Sequence, residues 1–219
     1  MARQKLKKFA ENTHRANVIE PGKPIYKAVK GKWRQSVFGN DNDIVLEVAC
    51  GRGEYTIGLA AQYPDKNFIG IDIKGDRLWF GSRYSEENGL LNTAFLRAKV
   101  HDLDNFFDEG EVNEIWIIHP DPRPKNKDER RRLTNQRFLD LYKRITAKNA
   151  WIRLKTDSRK LFDYTLQVLA KNKTKNLEYT YDLDNSDLYE EHFGIKTRYE
   201  LKFKELGYAI NYLKFKFDD

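Results

Sequence analysis

Between Ile44 and Leu169 the chain alternates short apolar runs with segments of helical period, and that alternation admits few folds. Ile44–Val48, Asn67–Ile71, Thr93–Lys99, Glu114–Ile118 and Ala150–Leu154 are brief, rich in apolar and β-branched residues, and bounded by turn formers, as buried strands are. Between them, Glu54–Gln62 and Asp76–Glu87 read as helices, the second stopped by Asn88-Gly89. Phe138, Leu141, Tyr142 and Ile145 mark one face of a third helix. Leu161, Phe162, Thr165, Leu166 and Leu169 mark a fourth, with Asp157 or Ser158 as its N-cap. Late strands near Leu177–Tyr181 and Ala209–Phe217 bring the expected number to seven. Alternating strands and helices imply a mainly parallel sheet covered on both faces, a doubly wound α/β fold. Right-handed crossovers then gather the loops that follow the strands at one sheet edge, so the residues just after each strand are the candidate site.

The first 35 residues do not share this pattern. They are basic, carry Pro21, Gly22 and Pro24, and show no sustained period, so they are expected to form a flexible arm that packs Tyr26 and Trp33 on a domain spanning 36–219. Residues 1–34 hold ten Lys/Arg against Glu11 and Glu20, whereas the whole chain has a net charge of only +7. A second basic block runs from Arg123 to Arg137. Two separated basic blocks on an otherwise balanced chain are what a nucleic-acid backbone selects, against the plainer reading of a solubilising tail and a solvated helix face. The single cysteine, Cys50, excludes an internal disulfide framework and suits a reducing compartment. No apolar run is long enough for a membrane span and no secretory signal is visible, so a cytoplasmic protein is expected. His14, His101, His119 and His192 lack paired ligand spacing, and no metal is expected. The pattern leaves monomer and homodimer equally open.

The loop after the first of these strands reads Glu47-Val48-Ala49-Cys50-Gly51-Arg52-Gly53-Glu54-Tyr55-Thr56. Gly51 and Gly53 let the backbone turn sharply and approach a ligand. A Gly-x-Gly turn alone does not separate dinucleotide sites from others. Thr56 replaces the third glycine of a dinucleotide fingerprint, and Glu47 would be a poor neighbour for a pyrophosphate. A carboxylate there suits the ammonium and sulfonium of S-adenosylmethionine. Asp72, ending the second strand, is placed to accept two ribose hydroxyls, or else to cap the following helix. Asp102 is placed to meet an adenine amino group, with Asp104 as the competing or merely structural neighbour.

The most specific stretch is His119-Pro120-Asp121-Pro122-Arg123-Pro124-Lys125, followed by Arg130-Arg131-Arg132-Leu133. Its prolines stiffen a loop at the end of the fourth strand and would hold Asp121 at the crevice mouth, unless that carboxylate only caps a turn. This run resembles the signature of the bacterial tRNA (guanine-N7)-methyltransferases. Glu47 with the Gly51/Gly53 loop, Gly70-Ile71-Asp72, His101-Asp102, Lys155-Thr156-Asp157 and Thr197-Arg198-Tyr199-Glu200 agree in order and spacing over about residues 40–217. The chain departs from the family pattern at three points. Arg123 stands where Trp is usual, Asn126-Lys127-Asp128 where a Lys-Arg-His run is usual, and His119 where Phe or a small residue is common.

The resemblance implies a Rossmann-like class I methyltransferase with a seven-stranded, mainly parallel sheet and an antiparallel last strand. It implies transfer of a methyl group from S-adenosylmethionine to N7 of a guanine, usually guanosine 46 in the tRNA variable loop. Glu47, Gly51, Gly53, Asp72 and Asp102 would hold the cofactor and Asp121 would serve the reaction. Lys125, Asp157, Thr197, Arg198 and Glu200 would hold the substrate, with the Thr197–Glu200 group on a returning loop or hairpin turn. Arg123, Arg130, Arg131 and Arg132 would meet the RNA backbone. Competing readings are a methyltransferase for another RNA, a protein or a small molecule, a nonenzymatic RNA binder on the same fold, and an NAD-dependent oxidoreductase. The last is disfavoured by Glu47 and Thr56.

Overall fold

The computed structural model describes residues 2–218. Eight strands form one sheet: β1 (Val18–Ile19), β2 (Asp43–Val48), β3 (Lys66–Asp72), β4 (Thr93–Arg97), β5 (Val112–Ile118), β6 (Thr146–Thr156), β7 (Thr174–Thr180) and β8 (Asn211–Phe217). Among the described residues, seven α-helices accompany them: α1 (Ala2–His14), α2 (Ile25–Ala28), α3 (Glu54–Gln62), α4 (Gly75–Glu87), α5 (Gln136–Ile145), α6 (Arg159–Leu169) and α7 (Arg198–Glu205). The strand order is β1-β4-β3-β2-β5-β6-β8-β7. β8 runs antiparallel to both its neighbours, and all other pairings are parallel. The seven expected strands are present, with the short β1 added at one edge.

Side-chain alternation places helices on both sheet faces. Ile44, Leu46 and Val48 of β2, with Ile115 and Ile117 of β5, join a core that includes Phe138, Tyr142 and Phe162 from α5 and α6. Their neighbours Val45, Trp116 and Ile118 face the other way and pack with Tyr55 and Leu59 of α3 and with Leu183 and Ile195. This is the period-two burial expected of a sheet covered on both sides. The chain turns from β2 outward to β3 in one direction and to β5 in the other. The ends of β2 and β5 therefore frame the crevice at the reversal of strand order, where open α/β sheets bind ligands.

Residues 2–35 differ from the expected loose arm. α1 lies on α4, where the Asn12 amide donates to the Gly75 carbonyl at 2.8 Å and the Trp79 indole donates to Glu11 at 2.6 Å. β1 pairs with β4 in parallel, burying Val18 and Ile19. Trp33 is wholly buried, stacks on Phe107 at 5.2 Å, and donates its indole N–H to the Phe106 carbonyl at 2.8 Å. Glu111 reaches back to accept from the Gly31 and Trp33 amides at 3.0 and 3.3 Å. The apolar residues here are too sparse to show a period, and their partners lie some 60 to 80 residues away in sequence. Trp33→Ala is expected to cost about 3–5 kcal/mol, read as a lower urea midpoint; an unchanged midpoint would return this segment to a loosely held arm.

Candidate functional site

Three non-glycine residues at the crevice have left-handed backbone: Ala49 (φ 56°) after β2, and His119 (φ 43°) and Arg123 (φ 46°) after β5. Such conformations cost energy and persist where the surrounding structure holds them. Gly53, at φ 72°, opens α3, and a Cβ there would come within 2.6 Å of the Phe95 ring. Gly70 of β3 runs close behind the loop, and a Cβ there would lie 2.9 Å from both Cys50 Sγ and Thr56 Oγ1. The turn is therefore pressed against the sheet and can be built only with small residues at these two points.

The loop divides two adjoining crevices that share Ala49. The first, about 530 Å³, is lined by Glu47, Cys50, Gly51 and Arg52 on one side and by His119, Thr197, Arg198 and Tyr199 on the other. The second, about 650 Å³, is lined by Asp72, Ala98 and Val100, with Arg123, Arg131 and Arg137 along its rim. Glu47 is buried and accepts from the Thr56 amide at 2.8 Å and its hydroxyl at 2.6 Å. Burial pushes its carboxyl up to about 8, in spite of both Thr56 donors. Glu47 is thus a carboxyl in want of a cation. Asp72 braces the loop, accepting from the Gly51 amide at 3.1 Å and the Lys74 amide at 2.8 Å. The expected alternatives for Asp72 are a ribose acceptor and a cap for α4; α4 opens at Lys74 with no side-chain cap hydrogen bond, and the Asp72 bonds go to the glycine turn and to the Lys74 amide.

The opposite wall rests on a buried polar cluster. Lys155, near the end of β6, has no solvent exposure; its ammonium is 2.8 Å from Glu200 Oε2, and Glu200 is equally buried. The ammonium also donates to the Tyr55 hydroxyl at 2.8 Å and contacts His192 Nδ1 at 2.9 Å. Burial lowers the Lys155 ammonium. Burial also opposes the charge on Glu200, but His119 and Lys155 outweigh it and hold that carboxyl down at about 2. His119 spans Asp157, 3.0 Å from Nδ1, and Glu200, 3.7 Å from Nε2. Burial works to lower the imidazole, yet these two carboxylates raise it on balance, and the His119 bond in turn draws Asp157 down against its own burial.

Thr197-Arg198-Tyr199-Glu200 is neither a loop nor a hairpin turn. Thr197 is the N-cap of α7, its hydroxyl accepting from the Glu200 amide at 3.1 Å. Threonine followed three residues later by glutamate is the spacing of a capping box, a signal present in the sequence. The cap turns Glu200 inward to Lys155 and leaves Arg198 and Tyr199 on the crevice lip.

Other expected residues are distributed less evenly. Asp121 is exposed and closes a turn with Arg123, accepting from its amide at 3.2 Å and lying 3.0 Å from its Nε. Lys125, Arg130 and Arg131 are exposed on the same loop, as a backbone-binding role requires. Arg132 is buried: its Nε donates to the Arg123 carbonyl at 3.2 Å and its guanidinium lies 4.3 Å above the Tyr164 ring, so it clamps the loop from within. Asp102 pairs with His101 at 3.3 Å, and His101 rather than Asp102 lines the second crevice. Tyr55, Lys155 and His192 had no expected role, although a lysine inside a buried strand such as Leu154-Lys155-Thr156 is itself a signal. Among the described residues no His/Cys/Asp/Glu group could hold a metal ion, and no helix is long and apolar enough to cross a membrane.

A family model described as a putative methyltransferase matches residues 41–213. The chain is 50% identical over 219 residues to a tRNA (guanine-N(7)-)-methyltransferase of Cytophaga hutchinsonii, covering 99% of each. It is 44% identical over 222 residues to one of Bacteroides fragilis, covering 98% of this chain and 86% of that one. Among solved structures, the 16S rRNA methyltransferase KamB superposes with a TM-score of 0.63 at 15% identity, over 84% of this chain and 92% of that one, a likeness of fold.

Lys155→Met is expected to cost about 3–5 kcal/mol by leaving Glu200 buried without its cation, and adding Glu200→Gln to recover part of the loss. Urea unfolding of both variants at pH 7 checks this. Because the Glu200 carboxyl sits at about 2 when folded, below its usual 4.5, the stability it contributes is held above about pH 4.5 and lost as pH falls toward 2.

Proposed function

The chain belongs to the tRNA (guanine-N7)-methyltransferase family, and from that we infer how its crevices divide the transfer of a methyl group from S-adenosylmethionine to N7 of a guanine in tRNA. The observation that carries the division is Glu47 on one wall of the first crevice with His119 and Thr197 on the other. S-adenosylmethionine is shared by the methyltransferases of this fold class, and the residues present fit it. A buried carboxyl raised to about 8 gives up its proton most readily when a cation takes its place, and an amino-acid ammonium with a sulfonium supplies one. Asp72 and the tight Gly51 turn offer acceptors and close backbone to an adenosine at the adjoining crevice. When bound, the cofactor supplies an electrophilic methyl group.

The work left to the chain is mainly positional. Guanine N7 carries an in-plane lone pair, so no base is required to create the nucleophile. The gain lies in holding N7 in line with the methyl carbon and in favouring the cationic purine that forms. Asp157, partly exposed and kept ionised by His119 of the crevice wall, is suited to accept from the guanine N1–H and N2 amino edge. Thr197 and Glu200 set that wall from behind. Asp121, on the proline-stiffened loop, would add negative charge at the mouth. Lys125, Arg123, Arg130 and Arg131 would receive phosphates, with Arg198 on the opposite lip. We assign the target to guanosine 46 of the variable loop on the family resemblance.

Cofactor affinity is expected to depend on Glu47 ionisation. Because its carboxyl is raised, binding a cation requires release of its proton, and the Kd for S-adenosylmethionine should tighten by up to about tenfold per pH unit between pH 6 and pH 8. Isothermal titration should show a weaker, nearly flat profile for Glu47→Gln. For the reaction, unmodified tRNA transcripts incubated with labelled S-adenosylmethionine, then reduced and treated with aniline, should break at the variable-loop guanine. Label transfer without that break would move the target to another atom or base. Asp157→Ala and Asp121→Ala are each expected to cut kcat/KM by about 100-fold or more; a loss confined to Asp157 would leave Asp121 as a turn cap.

A further inference from the structure

α7 and the turn that follows it carry apolar residues on the outside. Tyr199, Leu201, Leu206 and Tyr208 are exposed by 64, 48, 62 and 55%, a concentration of apolar surface within ten residues. Thr197 caps the helix and Glu200 turns inward to Lys155, so the side of this short helix away from them faces solvent. Tyr199 and Phe203, four residues apart, lie nearly parallel with ring centroids 6.3 Å apart, and Phe203 meets Tyr208 edge-on at 5.7 Å. The resulting aromatic row starts at the first crevice, which Tyr199 lines, and leads away from it.

We propose that this row is a stacking platform for the single-stranded nucleotides that flank the target guanine. The proposal rests on the reading of the crevice as the guanine site and adds where the neighbouring bases go. A base drawn out of folded RNA leaves its neighbours without part of their stack, and an aromatic surface at the mouth offers a replacement worth about 1–3 kcal/mol per base. Charge selects RNA over an apolar protein partner. Lys196, Arg198 and Lys202 are exposed along the row, and Glu205 is the one exposed acid between Lys196 and Tyr208. Flat rings interleaved with cations match alternating bases and phosphates. The platform also stands across the crevice from Lys8 and Phe80, whose ammonium lies 3.8 Å from the ring centroid, so the mouth is aromatic and basic on both sides.

The test uses the full chain and an unmodified tRNA transcript, read by methyl transfer and by photocrosslinking from 5-iodouridine placed next to the target guanine. Tyr199→Ala should raise the KM for tRNA about tenfold, with a much smaller change in kcat, and Tyr199→Phe, which keeps the ring, should recover most of the affinity. Tyr208→Ala, farther from the crevice, should raise KM about threefold. The wild-type crosslink should map to Tyr199 or Tyr208, a contact that a purely structural role would not produce. An unchanged KM in Tyr199→Ala together with crosslinks outside 196–208 would overturn the platform and leave the guanine site standing. Self-association that is lost in Tyr199→Ala would also overturn it, by assigning the face to a second copy. If the wild-type protein methylates no tRNA guanine at N7, the underlying reading fails instead.

Discussion

A lysine ammonium with no access to water is held at the end of β6, and the substrate side of the crevice is arranged around its needs. Lys155 cannot be solvated, so it must be neutralised and hydrogen-bonded from inside the protein. Glu200 supplies the charge, Tyr55 and His192 fill the remaining bonds, and each comes from a different part of the chain. Tyr55 lies on α3 directly after the glycine turn, so the same cluster ties the cofactor loop to the returning segment. α7 is then fixed at its first turn, because Glu200 cannot satisfy Lys155 without Thr197 capping the helix behind it.

The two halves of the crevice use burial in opposite ways. Glu47 is buried with neutral donors only, and its carboxyl rises to about 8, which favours a cationic ligand. Glu200 is buried with a lysine and a histidine nearby, and its carboxyl falls to about 2, which keeps the charge in place whatever occupies the crevice. One is suited to exchange its proton for a cationic ligand, while the other is already neutralised by the fold. His119, which lines the first crevice, links the second group to Asp157, a carboxylate that keeps partial exposure to solvent. Its position is a departure from the family's usual residue, and the left-handed backbone there is held by a bond from its amide to the Lys155 carbonyl at 2.8 Å.

The basic residues of the proline-rich loop divide into those that face solvent and one that shapes the loop. Arg130 and Arg131 remain exposed, while Arg132 turns inward against Tyr164 and the Arg123 carbonyl. A run of like charges is read uniformly in a sequence, yet on a short helical turn consecutive side chains cannot all point the same way. The loop therefore presents fewer free cations than its composition suggests, and its conformation depends on one of them.

The sequence by itself determined the strand and helix alternation, the doubly wound sheet and the edge at which the loops gather. Each of these follows from local periodicity, legible within a window of ten or so residues. It also placed Glu47, Asp72 and the Gly51/Gly53 turn at the edge where the crevices open, since they lie next to strand ends that can be recognised locally. The sequence singled out Trp33 for packing on the domain, while tertiary structure alone chose Phe107 and Glu111 as its partners and added α1 and β1 to the fold. The meeting of Lys155 with Glu200 across 45 positions, and of His119 with both Asp157 and Glu200, was equally invisible in the chain. The α7 cap was written in Thr197 and Glu200. Which way that helix faces followed only from the buried charge it had to satisfy.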